Sequence, residues 1–382
     1  MKKIIFGVAF VCIFALLVTV LPINKWTGAS IQSENSNQEI SVSNTASIGF
    51  FAFFKKWLGG DAKVDEGVDS SSRVPVPVPA PVPAPAPVDT PTHTRVPVPT
   101  PAPLPPEGTV SIPPGTTLKS MTMDGIKRTY TVYVPKSVST KKGQISVLIV
   151  LHGTSGTGEG IRKTGFDAYA DAKGFITIYP DSLVRDGTTM WDPTNREVKD
   201  IDFLQAVIKS MDTFTKGNLG NVYIAGMSNG SVMTQSLGCT TATVDGIAAV
   251  SAGMGSEFFP YCTADRPLPY IGFYGTLDRF DEMAKYESSV AFFSKENGCT
   301  ANYTTTLMPN IDPNDGTTVK KRVYVTSAAK ACTTPVQYYR IEGGGHYWPG
   351  GDFYEADQFE RNTGSVTQDI DATKLIVEFF GL

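Results

Sequence analysis

From Thr109 to Leu382 the apolar residues recur in short runs with two different periods. The segments "LKSMTM" and "KRTYTVYVP" alternate apolar and polar positions on either side of Asp124-Gly125, which predicts a hairpin. "ISVLIVLHG" is instead a nearly unbroken β-branched run, the pattern of a strand covered on both faces. Beyond it the pattern predicts a helix near 160 to 173, the strand "FITIYP", a helix near 201 to 214 and the strand "NVYIAG". A helix near 230 to 238 follows, then the strands "GIAAVSAG" and "PYIGFYG", a helix near 282 to 296, the strand "VQYYRIEG" and a closing helix near 368 to 380. Strands that alternate with helices predict an α/β fold, a mostly parallel central sheet with helices on both faces. Sites in such sheets lie at the carboxyl ends of the strands.

The first 108 residues lack this pattern. Residues 1 to 26 place two lysines before an apolar run from Ile4 to Leu21, which predicts a signal peptide or an uncleaved N-terminal membrane anchor. Residues 27 to 73 form a low-complexity segment rich in Ser, Asn, Gln and Gly, interrupted by "SIGFFAFFKKWLGG". Residues 74 to 108 are a Pro-rich linker, with 14 of the chain's 27 prolines packed into its first 33 residues. In polyproline II such a segment reaches about 100 Å and acts as a stiff spacer. The expected catalytic domain is therefore residues 109 to 382, long enough for one large core.

Charge narrows the partners. Lys and Arg number 33 against 37 Asp and Glu, a net charge of -4 without a basic cluster in the globular part, which argues against nucleic acid. Outside the leader, which contains Cys12, stand Cys239, Cys262, Cys299 and Cys332, an even number in a chain that reads as exported. Two disulfides are expected, with sequence neighbours paired on loop closure. No CxxC or Cys/His spacing suggests a metal, and no cofactor is expected.

The chemistry concentrates in "GMSNGSVM", where Gly226-Met227-Ser228-Asn229-Gly230 follows a predicted strand and precedes a predicted helix. In that setting glycines permit a sharp turn that exposes a serine oxygen as a nucleophile. A serine needs a base, and the chain has three histidines: His93 in the linker, His152 after the first buried strand, and His346 in "IEGGGHYWPG". With the order nucleophile, acid, histidine, only His346 follows Ser228 in the chain. Asp278, three residues beyond the strand ending at Gly275, is the expected acid, with Asp281 as runner-up. Oxyanion donors are expected at the backbone of Asn229 and, in "HGTSGTG", of Thr154.

Taken in order, "LHGTSGTG", "DIDFLQAVI", "GMSNGSVM", "YGTLD" and "GGGHYWPGG" resemble the exported polyhydroxybutyrate depolymerase and feruloyl esterase family of α/β-hydrolases, which also includes acetylxylan esterases. The resemblance covers about residues 110 to 382 and implies an α/β-hydrolase fold with Ser228, Asp278 and His346 as triad. It also implies substrate contacts by Trp348, by Trp191 in "MWD" and by Tyr347, which stands where Thr is usual. Ser231 replaces a common third glycine, and Tyr274 stands where the acid's loop often starts with His. The expected function is hydrolysis of carboxylic esters through an acyl-enzyme, on feruloyl or acetyl groups of polysaccharide or on short polyester. Two other functions fit the same scaffold: a carbohydrate-binding protein and a peptidase. The expected location is extracytoplasmic, secreted or attached to the membrane by the leader.

Overall fold

A hairpin opens the described structure because Asp124 and Gly125 both adopt positive φ, 50° and 77°, the twist a two-residue turn needs. It joins β1 (Gly115–Met123) to β2 (Ile126–Val134), with Met123 opposite Ile126. The computed structural model describes residues 112 to 263, 266 to 327, 330 to 332, 334 to 351 and 364 to 382. The expectations for residues 1 to 108 lie outside the described residues.

Past the hairpin come the short helix α1 (Lys136–Ser139), β3 (Ile145–Leu151), α2 (Gly158–Arg162), α3 (Phe166–Lys173) and β4 (Ile176–Pro180). A small hairpin, β5 (Val184–Arg185) and β6 (Thr188–Thr189), precedes α4 (Asp200–Phe214). The chain continues with β7 (Leu219–Met227), α5 (Asn229–Thr240), β8 (Gly246–Val250), a 3-10 turn over Ser256–Tyr261, β9 (Tyr270–Gly275) and α6 (Met283–Glu296). Last come β10 (Tyr303–Leu307), β11 (Thr318–Ser327), β12 (Lys330–Ala331), β13 (Val336–Glu342) and α7 (Ala372–Phe380).

The main sheet runs β1-β2-β4-β3-β7-β8-β9-β13-β11-β10. Every neighbouring pair from β4 to β13 is parallel, and the two edges are antiparallel. The apolar run of β3 is explained by its alternation between two cores. Val147, Ile149 and Leu151 pack with Phe203, Val207, Met233, Leu237 and Val290 of α4, α5 and α6. Leu148 and Val150 pack on the other face with Ile161, Phe166, Ile376 and Phe380 of α2, α3 and α7.

Four elements depart from the sequence pattern. The helix expected near 160 to 173 is two helices, because Gly165 at φ 87° interrupts it. The closing helix starts only at Ala372, where the Asp371 carboxylate accepts from the Lys374 N–H as its N-cap. The strands β10 and β11 extend the sheet beyond the predicted set. All five residues of β10 are exposed, so no apolar alternation marks it.

Candidate active site

The turn between β7 and α5 is built from close approach. Ser228 is held at φ 56° and ψ −125°, a conformation that costs a non-glycine residue about 1–3 kcal/mol and persists only where its surroundings enforce it. Here they do. A Cβ on Gly226 would lie 2.2 Å from the Gly230 carbonyl oxygen, and one on Gly230 would lie 2.4 Å from that of His152. Strand and helix can therefore close on each other only without side chains at both positions. The Ser228 N–H donates to the Val250 carbonyl at 2.9 Å, which ties the turn to the end of β8.

The loop after β3 lies against this turn: a Cβ on Gly153 would stand 3.1 Å from that of Ser228. His152 organises the loop from inside. Its Nε2 accepts from the Ser182 N–H at 3.1 Å, which leaves Nδ1 to donate to the Gly153 carbonyl at 2.7 Å. Burial holds its pKa below the ordinary histidine value, so the ring is a neutral brace with both nitrogens committed. The Trp191 indole donates to the His152 carbonyl at 2.9 Å. The Asn229 side chain clamps the Trp191 backbone from both sides, accepting from its N–H at 2.7 Å and donating to its carbonyl at 3.2 Å. Further along, the Ser155 N–H donates to the Thr189 carbonyl at 2.9 Å, and the Thr189 hydroxyl to the Gly156 carbonyl at 2.7 Å. Thr154 stands exposed between these anchors.

Asp278 and His346 are brought together by a second close approach. A Cβ on Gly275, the last residue of β9, would lie 2.3 Å from the Gly344 carbonyl oxygen, so the loops after β9 and β13 run side by side. His346 Nδ1 lies 2.8 Å from Asp278 Oδ2, with the two side chains 8% and 0% exposed. A carboxylate only accepts, so Nδ1 carries the proton in this pair. The Phe280 N–H donates to Asp278 Oδ1 at 2.9 Å, and the Tyr286 hydroxyl donates to Oδ2 at 2.6 Å. Asp281, the runner-up, is occupied elsewhere: it accepts from the Gly253 N–H at 3.0 Å and faces Lys285 at 3.3 Å. Burial raises its pKa.

The parallel run of β4, β3, β7, β8, β9 and β13, with Ser228, Asp278 and His346 on the loops after β7, β9 and β13, is the arrangement that decides the fold. The chain has the α/β-hydrolase fold. No family model matches it. Proteins similar to it in sequence carry esterase names. "Putative esterase NocK" of Nocardia uniformis subsp. tsuyamanensis is 26% identical over 264 residues, 62% of this chain and 75% of that protein. Acetylxylan esterase A of Talaromyces purpureogenus is 26% identical over 136 residues, 34% of each chain. This chain thus spans three quarters of the first relative and about a third of the second. Among solved structures, the acetyl xylan esterase from Aspergillus awamori aligns with a TM-score of 0.49 at 14% identity, over 69% of this chain and 99% of that one.

Within this fold the three aromatic residues expected at the substrate are buried. Trp191 is enclosed under the loop that it braces. Trp348 donates its indole N–H to the Thr373 hydroxyl at 2.9 Å and meets the Phe166 ring edge-on. The Tyr347 carbonyl accepts from the Ser251 hydroxyl at 2.8 Å. An exposed apolar group beside His346 is Phe280, 47% exposed with its ring centroid 4.9 Å from the imidazole; Leu277, on the same loop, is 53% exposed. Ser231, in place of a glycine, donates to the Ala252 carbonyl at 2.7 Å, and Gln235 donates to that carbonyl at 3.0 Å. The cysteines form the expected pairs, Cys239 with Cys262 and Cys299 with Cys332. Among the described residues no group of three or more His, Cys, Asp or Glu side chains is placed to hold a metal ion.

Sequence reasoning missed Tyr286, Phe280 and the buried pair Arg128 and Asp200. Arg128 donates to Asp200 at 2.6 Å, and Asp200 accepts from the Asp192 N–H at 2.7 Å. Asp200 was visible only as the first residue of "DIDFLQAVI".

Proposed function

We propose that the protein is a serine esterase acting through an acyl-enzyme, with Ser228 as nucleophile, His346 as base and Asp278 as the acid that orients it. The observation that carries this reading is the buried Asp278–His346 pair on the loops after β9 and β13, in the same parallel sheet whose β7 ends in a serine held at φ 56°. The Ser228 hydroxyl adds to the ester carbonyl carbon while its proton passes to Nε2 of His346, and Asp278 stabilises the imidazolium through Nδ1–H. The oxyanion accepts from the backbone N–H groups of Asn229 and Thr154, each such donor being worth about 10²–10³ in rate. Collapse expels the alcohol, which takes the proton back from Nε2. Water then attacks the acyl-enzyme by the same route, releasing the acid and restoring Ser228.

The substrates that fit the reading are acetyl or feruloyl esters of polysaccharide and short hydroxyalkanoate esters. Sequence relatives described as esterases support the ester class. Trp191, Trp348 and Tyr347 act on the substrate through the loops they hold. Hydrolysis of p-nitrophenyl acetate and butyrate, methyl ferulate and a hydroxybutyrate oligomer, each beside an anilide control, tests the reading. Ser228→Ala is expected to lose ester turnover by at least about 10³-fold while its melting profile stays that of a folded protein. Undiminished turnover in that variant sinks the proposal, and faster anilide cleavage moves it to a peptidase.

The proposal extends to organisation: residues 109 to 382 form the catalytic domain, tethered by the Pro-rich linker 74 to 108 to an exported leader. The two disulfides support an oxidising compartment. Among the described residues no helix is long and apolar enough to cross a membrane. The intact mass of the protein recovered outside the cytoplasm distinguishes a cleaved leader from an anchor.

A further inference from the structure

The acid of the proposed triad has a third partner that the triad chemistry does not use. Tyr286 lies one turn into α6, and its side chain is fully buried. Its hydroxyl donates to the same Asp278 oxygen, Oδ2, that receives His346 Nδ1, at 2.6 Å against 2.8 Å. The ring cannot turn aside, because it stacks on Tyr274 of β9 with centroids 4.2 Å apart and planes inclined by 15°. Tyr274 is bonded through its own hydroxyl to Tyr270 and is tilted against Tyr338 of β13. The phenol is thus fixed by both strands whose loops carry the acid and the base.

We propose that Tyr286 is a positioning residue that sets the proton affinity of His346 by sharing Asp278 Oδ2 with it. The inference rests on the triad reading above. A donated O–H spreads part of the carboxylate charge away from the imidazole, so the Asp278–His346 attraction is weaker than a lone pair of that geometry would have. The base then stays neutral, and competent to accept the serine proton, to lower pH than it otherwise would. Tyr286 can only act as a neutral donor. Burial first, and the neighbouring Asp278 and Asp281 charges next, push its phenol far above the ordinary tyrosine range.

Other ionisable groups lie near the pair. Asp281 is matched by Lys285 on α6, Arg279 follows Asp278 in the chain, and Tyr274 and Tyr338 are buried with pKa values raised by desolvation. Across the turn, His152 is buried with its pKa lowered.

The test is the pH profile of kcat/KM on p-nitrophenyl butyrate for the full chain, wild type beside Tyr286→Phe and Ser228→Ala. Tyr286→Phe keeps the ring and its stack on Tyr274, and removes only the donor. The acidic limb is expected to move up by about 0.5–1 pH unit, with KM unchanged because Tyr286 does not face the substrate. A second arm places 3-fluorotyrosine at position 286, a stronger donor of nearly the same shape, and the limb is expected to move down. An acidic limb that stays put in both variants, whatever happens to kcat or melting temperature, overturns the inference and leaves Tyr286 a packing residue. If Tyr286→Phe does not fold, the fluorotyrosine arm alone decides. The triad reading fails separately, through Ser228→Ala retaining turnover.

Discussion

Gly230 shows what the chemistry of the turn demands of a single residue. A methyl group there would lie 2.4 Å from the His152 carbonyl oxygen and 2.7 Å from that of Leu151, both backbone atoms that cannot swing away. Gly230→Ala is therefore expected to cost about 2–4 kcal/mol and to cut ester turnover at least tenfold, read from urea midpoints and initial rates. A variant as stable and as active as wild type contradicts the close packing. His152 makes a second residue-scale prediction. Its folded pKa lies below the unfolded value of about 6.5, so it contributes stability that is fully present above that pH. As pH falls below about 6.5 the unfolded chain takes up the proton first, and that stability declines. Melting temperatures measured from pH 7.5 to 5 should fall less steeply for His152→Gln, which starts lower, than for wild type. Equal slopes would show that another group governs the acid sensitivity. At this scale the sequence singled out Ser228 and His346 as candidates through chain order and histidine scarcity. It ranked Asp278 above Asp281 by distance from the strand end; in the structure Asp278 meets His346, whereas Asp281 meets Lys285 and the Gly253 N–H. Tyr286 left no signal, because an aromatic on the buried face of a helix reads the same whether it packs or donates.

The elements were legible where their periodicity had one cause. β3 read as buried because both faces are covered, and the β1–β2 hairpin read correctly because Asp124-Gly125 carries the turn by itself. Elsewhere the periodicity is hidden: β10 is exposed throughout, and the half-buried β11 begins "TVKKRV", where Lys320 and Arg322 pair with Glu342 and Glu287. The loop after β9 offered the sequence a candidate acid and was silent about its rim. Leu277 and Phe280 flank Asp278 in the chain and are both exposed, and the Phe280 ring stands beside His346, where an aromatic part of an ester would meet it in the proposed reading. Phe280→Ala retains the backbone N–H that donates to Asp278 Oδ1, so the acid keeps that bond. The substitution is expected to raise KM for methyl ferulate about tenfold, the loss of one aromatic contact, and to change KM for p-nitrophenyl acetate little. Equal effects on both esters would assign Phe280 to support of His346 instead of substrate choice.

The whole molecule places its candidate chemistry on the parallel middle of the sheet and its covalent ties away from it. One bridge joins the far end of α5 to the 3-10 turn after β8, and the other joins the chain after α6 to the segment between β12 and β13. Loop closure predicted both pairings from spacing alone, because neighbours in sequence constrain the unfolded chain least expensively. Such bridges act chiefly on that unfolded chain. With sequence separations of 23 and 33 residues, each stabilises by about 3–4 kcal/mol in the chain-entropy account. At about 2 °C per kcal/mol for a domain of this size, replacing all four cysteines by serine should lower the melting temperature by roughly 10–15 °C. Cys239 lies three turns down α5 from Ser228, so the geometry of the turn does not depend on its bridge. Ester turnover at 25 °C is accordingly expected to stay within about twofold of wild type, while the half-life at 50 °C shortens sharply. A variant that loses turnover at 25 °C while still folded would mean that the bridges hold the active geometry itself, through the Ala252–Met254 segment that Gln235 and Ser289 tie down.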